Sequence, residues 1–164
     1  MKSNIITPLN EPTFVVLGNL LQFLNEPGSG RDDLSFMTAT MPPGIVVPLH
    51  SHADPELFFL LEGSLDVYQE TTDWNVATVG QLITIPGNVK HALRNTTDGS
   101  VRAILISKAG IHNFFRELAQ PFDPNFVAHK PTPEELRVLF ETAAQHGYWI
   151  GSSVENAAIG ITLA

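Results

Sequence analysis

Cysteine is absent from the 164 residues. That excludes disulfides, thiolate ligands and a cysteine nucleophile, so any metal must be held by nitrogen and oxygen. Cationic residues are scarce: 9 Lys and Arg stand against 17 Asp and Glu, for a formal charge of -8. Such a chain repels phosphate backbones, and no nucleic-acid partner is expected. Long apolar runs are missing too. The one of note, residues 57–61, falls far short of the roughly 18 residues that cross a bilayer, so no membrane partner is expected. The opening stretch, residues 1–12, has one lysine and no long apolar region. It does not read as a secretory signal, and the expected address is cytoplasmic. Also lacking are a phosphate-binding loop, a dinucleotide glycine pattern and a serine nucleophile elbow. The Gly28-Ser29-Gly30 stretch reads as a turn.

What is present suits one folded domain, residues 1–164, with 43% hydrophobic residues and enough length for a core of its own. Up to residue 107 short apolar stretches alternate with turn-formers. Strands are expected at 13–17, 20–24, 34–40, 45–50, 56–62, 65–69, 75–79, 81–86 and 101–107. This spacing predicts an all-β fold, an antiparallel sandwich or barrel rather than βαβ units. The texture then changes. Ile111, Phe114, Phe115 and Leu118 recur at helical spacing. After a proline-rich loop, Thr132-Pro133-Glu134-Glu135 supplies a cap, a first-turn proline and early acids to a second helix ended by Gly147. The tail from Tyr148 onward is too apolar to hang free. The barrel core is therefore expected over about 13–107, with a helical extension and tail over 108–164.

The chemistry concentrates in four residues. His50 and His52 lie two apart at a strand end, so both imidazoles face one side. Glu56 opens the next strand after a turn, and His91 follows the turn at 86–88. Three imidazoles and a carboxylate suit one divalent ion, Fe, Mn, Ni or Zn among others, with positions open for water or substrate. A His-x-His pair alone is often an ordinary strand feature. Glu56 beside the apolar run 57–61 needs solvent or a partner that offsets its desolvation.

The stretch from Gly44 through His50, His52 and Glu56 to Gly63 resembles the first motif of the cupin superfamily. The stretch from Gly80 through Pro86 and His91 to Asn95 resembles the second. Asn88 stands where that family usually has glycine, a position whose left-handed turn asparagine tolerates. The resemblance covers about residues 16–107, closest to small quercetin-dioxygenase-like members. It implies an antiparallel double-stranded β-helix (jelly-roll) barrel with the metal inside one end. In relatives that cleave flavonols the ligand glutamate also takes the substrate proton, which would make Glu56 the catalytic residue. An oxygenase acting on a small, largely apolar or aromatic hydroxylated compound is the first expectation. The alternatives are a non-catalytic binding module and a metal-dependent isomerase or lyase.

Strand phase predicts that Val46, Pro48, Phe58, Leu60 and Leu93 face inward, joined by Phe36, Thr38, Thr40, Ile83, Ile85, Ala103 and Leu105. Glu62, Lys90 and Arg94 are expected to face solvent, and His112 and His129 to stay clear of substrate. His146 reads as a helix-end residue. Tyr148 and Trp149 read as packing or as a lid. Surplus apolar side chains, Leu57, Phe59 and Leu61 among them, point to a homodimer.

Overall fold

The computed structural model describes residues 11–163; the opening stretch read above for a secretory signal lies mostly outside them. Among the described residues twelve strands form two antiparallel sheets. In chain order the strands are β1 (Phe14–Val16), β2 (Asn19–Phe23), β3 (Leu34–Met41), β4 (Val46–Ser51), β5 (Glu56–Glu62) and β6 (Ser64–Gln69). They continue with β7 (Asp73–Thr78), β8 (Leu82–Ile85), β9 (His91–Arg94), β10 (Val101–Lys108), β11 (Gln120–Pro121) and β12 (Trp149–Ile150). The helices are α1 (Ala109–Leu118), α2 (Pro133–Gln145) and α3 (Ser153–Ala158). A seven-stranded sheet has the order β11-β1-β2-β3-β10-β5-β8, and a five-stranded sheet the order β12-β4-β9-β6-β7.

These orders correct the expectation of a closed jelly-roll barrel. Both sheets are open, and neither closes on itself. The reason lies in the ladders. β5 spends its two edges on β10 and β8, and β4 spends its edges on β9 and β12. No ladder is left to join one sheet to the other. Apolar packing between them does that instead. Met37, Leu60 and Ile85, each at 0% exposure, lie in one cluster with Phe58, Leu65, Val67, Leu93 and Leu105.

Local sequence explains the turns. β1 and β2 are joined by two residues, Leu17 and Gly18, both at positive φ. That is the primed hairpin turn whose twist matches its strands. Leucine is strained there, and its side chain lines the cavity described below. α2 begins with the expected capping box between Thr132 and Glu135. α3, not anticipated from sequence, has the same box between Ser152 and Glu155. α1 has no cap from its own N-cap residue Lys108. Instead Asp54 Oδ2 accepts the Ile111 N–H at 3.1 Å.

The two longer helices, α1 and α2, do not cover an outer sheet face. Phe114, Leu118, Leu136, Leu139 and Ala143 pack with Val16 and Leu21, and Phe114, Leu139 and Ala143 line the cavity between the sheets. The tail packs on the five-stranded sheet: β12 pairs with β4, and Ile161 sits on Leu49 and Ala92. Strand phase held for Ile83, Ile85, Ala103 and Leu105, all buried in the core. It failed in β3, where Met37 is buried and Phe36 is 38% exposed. The β3 sequence is apolar in both phases, and pairing with β10 decides which side goes in. In β4 the pairing slips between Val47 and His50. Val47 therefore packs on the inner cluster and Val46 on the outer one.

Leu60→Ala is expected to cost about 2–5 kcal/mol, as buried leucine truncations do. Val154→Ala, at a position 80% exposed, should stay within about 0.5 kcal/mol of the parent. Urea denaturation of both variants checks this; equal effects would contradict the core assignment.

Candidate metal centre

His50, Glu56 and His91 come from three strands, and His52 from the turn just after β4. His50 and His91 lie directly opposite each other on β4 and β9, with ring centroids 4.1 Å apart. His52 follows at the strand's phase of two. Glu56 opens β5, which belongs to the other sheet. Two imidazoles from one sheet and one from the turn beside it thus meet a carboxylate from the other sheet, and one potential ligand atom from each lies within 4.8 Å of all the rest. His52, Glu56 and His91 are 4%, 3% and 1% exposed.

The turns that deliver these side chains are tightly built. Asn88 adopts φ 65°, and its N–H donates to His52 O at 2.6 Å. Asparagine therefore serves where the resemblance anticipated glycine. At Gly87 a β-carbon would stand 2.1 Å from Ala53 O. The β8–β9 turn can press onto the 52–55 turn only because that residue has no side chain.

Each imidazole is oriented by its own neighbourhood. Nδ1 of His50 donates to Pro48 O at 2.7 Å, Nδ1 of His52 to Asp54 O at 2.7 Å, and Nδ1 of His91 to Val89 O at 2.8 Å. With the proton on Nδ1, each ring turns an Nε2 lone pair inward. His91 Nε2 then lies 3.2 Å and His52 Nε2 3.8 Å from Glu56 Oε2. His52 Nε2 is buried without a hydrogen-bond partner.

Charge completes the picture. Burial holds the His50 imidazole well below its usual pKa, and the His91 and His52 rings add to the effect. Burial likewise lowers His52. Burial alone would raise the Glu56 carboxyl; the closeness of the His91, His52 and His50 rings, which favour its ionised form once positive charge is shared among them, outweighs that. Its pKa is held at about 2, so the group is ionised. Inward lone pairs, an ionised carboxylate and an orphaned buried nitrogen together call for a cation at their centre. Nitrogen and oxygen donors of this type suit a borderline divalent ion. The buried cluster fits one such ion per chain.

His50 and Glu56 also form part of the wall of a cavity between the sheets. The rest of that wall is almost wholly apolar, with Met41, Phe58, Leu105, Phe114 and Leu139 prominent. The space in it open to the centre of a water-sized sphere is about 120 Å³. Tyr148 completes the wall, its ring centroid 5.3 Å from that of His52. Of the two roles expected for Tyr148, packing or a lid, it is a wall residue beside the cluster. Burial and the charges of Asp54 and Glu56 raise its hydroxyl pKa, so it stays protonated.

The other candidates lie elsewhere. His112 is 2% exposed and bonded to Ser35 and Glu26, and His129 bonds to Lys130 O. His146 pairs with Glu117 at 2.8 Å. Glu62 is exposed and pairs with Arg102. Arg94 is not simply solvated: it bonds Asp66 at 3.0 Å and stacks on Trp74. Lys90 stacks on Trp149. Among the described residues no helix is long and apolar enough to cross a membrane.

Residues 37–107, which include all four cluster residues, match the family model described as the cupin domain. No curated protein matches the chain in sequence. Among solved structures, the polyketide cyclase RemF from Streptomyces resistomycificus aligns with a TM-score of 0.57 and 15% identity. That alignment covers 82% of this chain and 97% of the cyclase. The plu4264 protein from Photorhabdus luminescens aligns with a TM-score of 0.54 and 21% identity, over 71% of this chain and 98% of the other. A DMSP lyase structure aligns with a TM-score of 0.47 and 19% identity over 56% of this chain, which spans 47% of the lyase chain. At these identities the likeness is one of fold.

Elemental analysis of protein loaded with Mn(II), Fe(II) or Zn(II) should give about one ion per chain, and His91→Ala should lose most of it. No retained ion under any loading condition would contradict the site. In the metal-free protein the buried neutral His50 and His52 take up protons less readily than in the unfolded chain. Their stabilisation is complete above the unfolded value of 6.5 and is lost as pH falls below it. The ionised Glu56 adds a further loss from 4.5 towards 2. Melting temperature should therefore fall steadily from pH 7 to pH 4.5; a flat profile would contradict the assigned protonation states.

Proposed function

We propose that the cupin domain of residues 37–107 is the core of a metal-dependent enzyme that moves a proton on a small, mostly apolar compound bearing an oxygen function, without consuming dioxygen. The reaction class is isomerisation, elimination or ring closure next to a carbonyl or enol. One observation carries this reading: Glu56 belongs both to the ligand cluster and to the wall of the apolar cavity, so a base and a binding site share one group.

A divalent ion held by His50, His52, Glu56 and His91 would supply Lewis acidity to the substrate oxygen. The rest is the work of the chain. The apolar walls bind the body of the substrate and keep water out. Glu56, ionised, accepts the proton released beside the activated oxygen and can return it at another atom. Tyr148, protonated and beside His52, offers a donor to a second oxygen. The name of one neighbour of the same fold, a polyketide cyclase, agrees with chemistry of this kind and favours it over the oxygenase expected from the resemblance to flavonol-cleaving relatives.

The test is turnover of a panel of phenols, diketones and flavonols by the metal-loaded protein, with and without oxygen. Product formation that is unchanged under anaerobic conditions supports the proposal. Oxygen uptake matching product would return the oxygenase, and binding without turnover the non-catalytic module. Glu56→Gln should keep its fold and lower kcat by about 10²–10⁴-fold, the usual worth of a positioned base; full activity in that variant would remove Glu56 from the role.

A further inference from the structure

The chamber between the sheets carries one polar side chain that the metal centre does not explain. Of the described residues in its wall, only Asn19, His50, Glu56 and Tyr148 bear a side-chain nitrogen or oxygen. His50 and Glu56 belong to the cluster, and Tyr148 adjoins it. Asn19 stands apart. One row of paired residues runs Leu20, Thr40, Arg102 and Glu62 across β2, β3, β10 and β5. Glu62 closes β5 and Glu56 opens it. The tip of the β1–β2 hairpin and the cluster therefore stand at opposite ends of the seven-stranded sheet, roughly 20 Å apart along the strands at about 3.3 Å per residue.

Asn19 shares the phase of Leu21 and Phe23, both buried. An amide thus stands where the strand otherwise turns apolar groups inward. It is poorly satisfied there. Its Nδ2 reaches Val16 O and Leu17 O only at 3.4 Å each, beyond the usual range. Its Oδ1 accepts no hydrogen bond among the described residues. An amide left short of partners in an apolar wall is costly unless something completes it. The tip is also a fixed part of that wall. A β-carbon at Gly18 would stand 2.9 Å from His129 O and 3.0 Å from Ile45 Cδ1, so the turn is wedged in place. Leu17 keeps a left-handed φ of 50°, where asparagine would sit with less strain. The chain holds an apolar side chain on the chamber wall against the preference of its own turn.

We infer that Asn19 is a specificity-determining residue and that the substrate is elongated: an apolar body with its reacting oxygen function at the cluster end and a hydroxyl at the far end. That hydroxyl donates to Asn19 Oδ1 and can accept from Nδ2. Val16, Leu17, Leu21 and Met41 enclose the last carbons of the body. A molecule without the hydroxyl leaves the amide unmatched, so the chamber reads length and polarity together. The inference rests on the chamber being the substrate site of the proposed enzyme, and not on which reaction follows.

The experiment is titration calorimetry of the Zn(II)-loaded protein with β-diketones, whose dione end suits a divalent ion. They carry alkyl tails of graded length, with or without a terminal hydroxyl. At a matching tail length the hydroxyl should tighten binding about tenfold, the worth of one neutral hydrogen bond. Asn19→Leu should erase that gain, bind the plain tail at least as well, and keep its metal content and circular dichroism. Leu17→Asn should melt higher than the parent and hold the plain tail more weakly. A hydroxyl that fails to tighten binding to the parent at every tail length overturns the inference, as does a gain that survives in Asn19→Leu. Failure of both series to bind overturns it together with the chamber as the substrate site. The expected binding pattern without turnover would leave the inference standing and remove only the proposed reaction.

Discussion

Glu56 carries a negative charge at a place 3% exposed to solvent, and most of the site's construction answers to that fact. An ionised carboxylate taken out of water is costly unless matched by positive charge or donors. The imidazoles that surround it come from the other half of the fold and turn lone pairs inward, so only a cation at their common centre would complete the match. A cation at the centre would bind the two sheets together as well as serve chemistry. The same requirement explains the tightness of the 52–55 and 86–88 turns, since ligands on two sheets meet only if both turns hold their position.

Asp54 ties this arrangement to the helices. Its carbonyl orients His52, and its carboxylate accepts from Ile111 at the start of α1. The turn between two ligands is therefore also the anchor of the segment that closes the cavity. Tyr148, held after α2 by its N–H to Ala143 O, completes the same wall. Two residues outside the cluster thus brace the junction that His50 and Glu56 make directly with the cavity.

The four-residue cluster was legible in the sequence because it rests on local rules: a period of two for His50 and His52, a strand opening at Glu56, and a turn before His91. The first strands and the capping box at Thr132 were legible for the same reason. What escaped was set by pairing between distant segments. Apolar residues occupy both phases of β3, so only its register with β10 turns Phe36 outward. The slip in β4 cannot be read from a strand pattern, although Pro48, which cannot donate to a ladder, sits within it. Whether two sheets close on each other depends on which edges pair, and here the edges of β4 and β5 were already taken. β9 is only four residues long, and its strand character comes from its neighbours. The role of Tyr148 depended on how the tail folds back, which no periodicity records. The Ser152-x-x-Glu155 cap was a visible signal that went unread.

Each imidazole takes its orientation from a carbonyl two residues away in its own segment, whereas the opposite wall of the cavity is built by Phe114, Leu139, Ala143 and Tyr148 from the last third of the chain. The two halves of the site are thus encoded separately. Substitutions in the helices can reshape the chamber and change which molecule it accepts while leaving the aim of the ligands untouched. Aim and mould are thus separable parts of one scaffold.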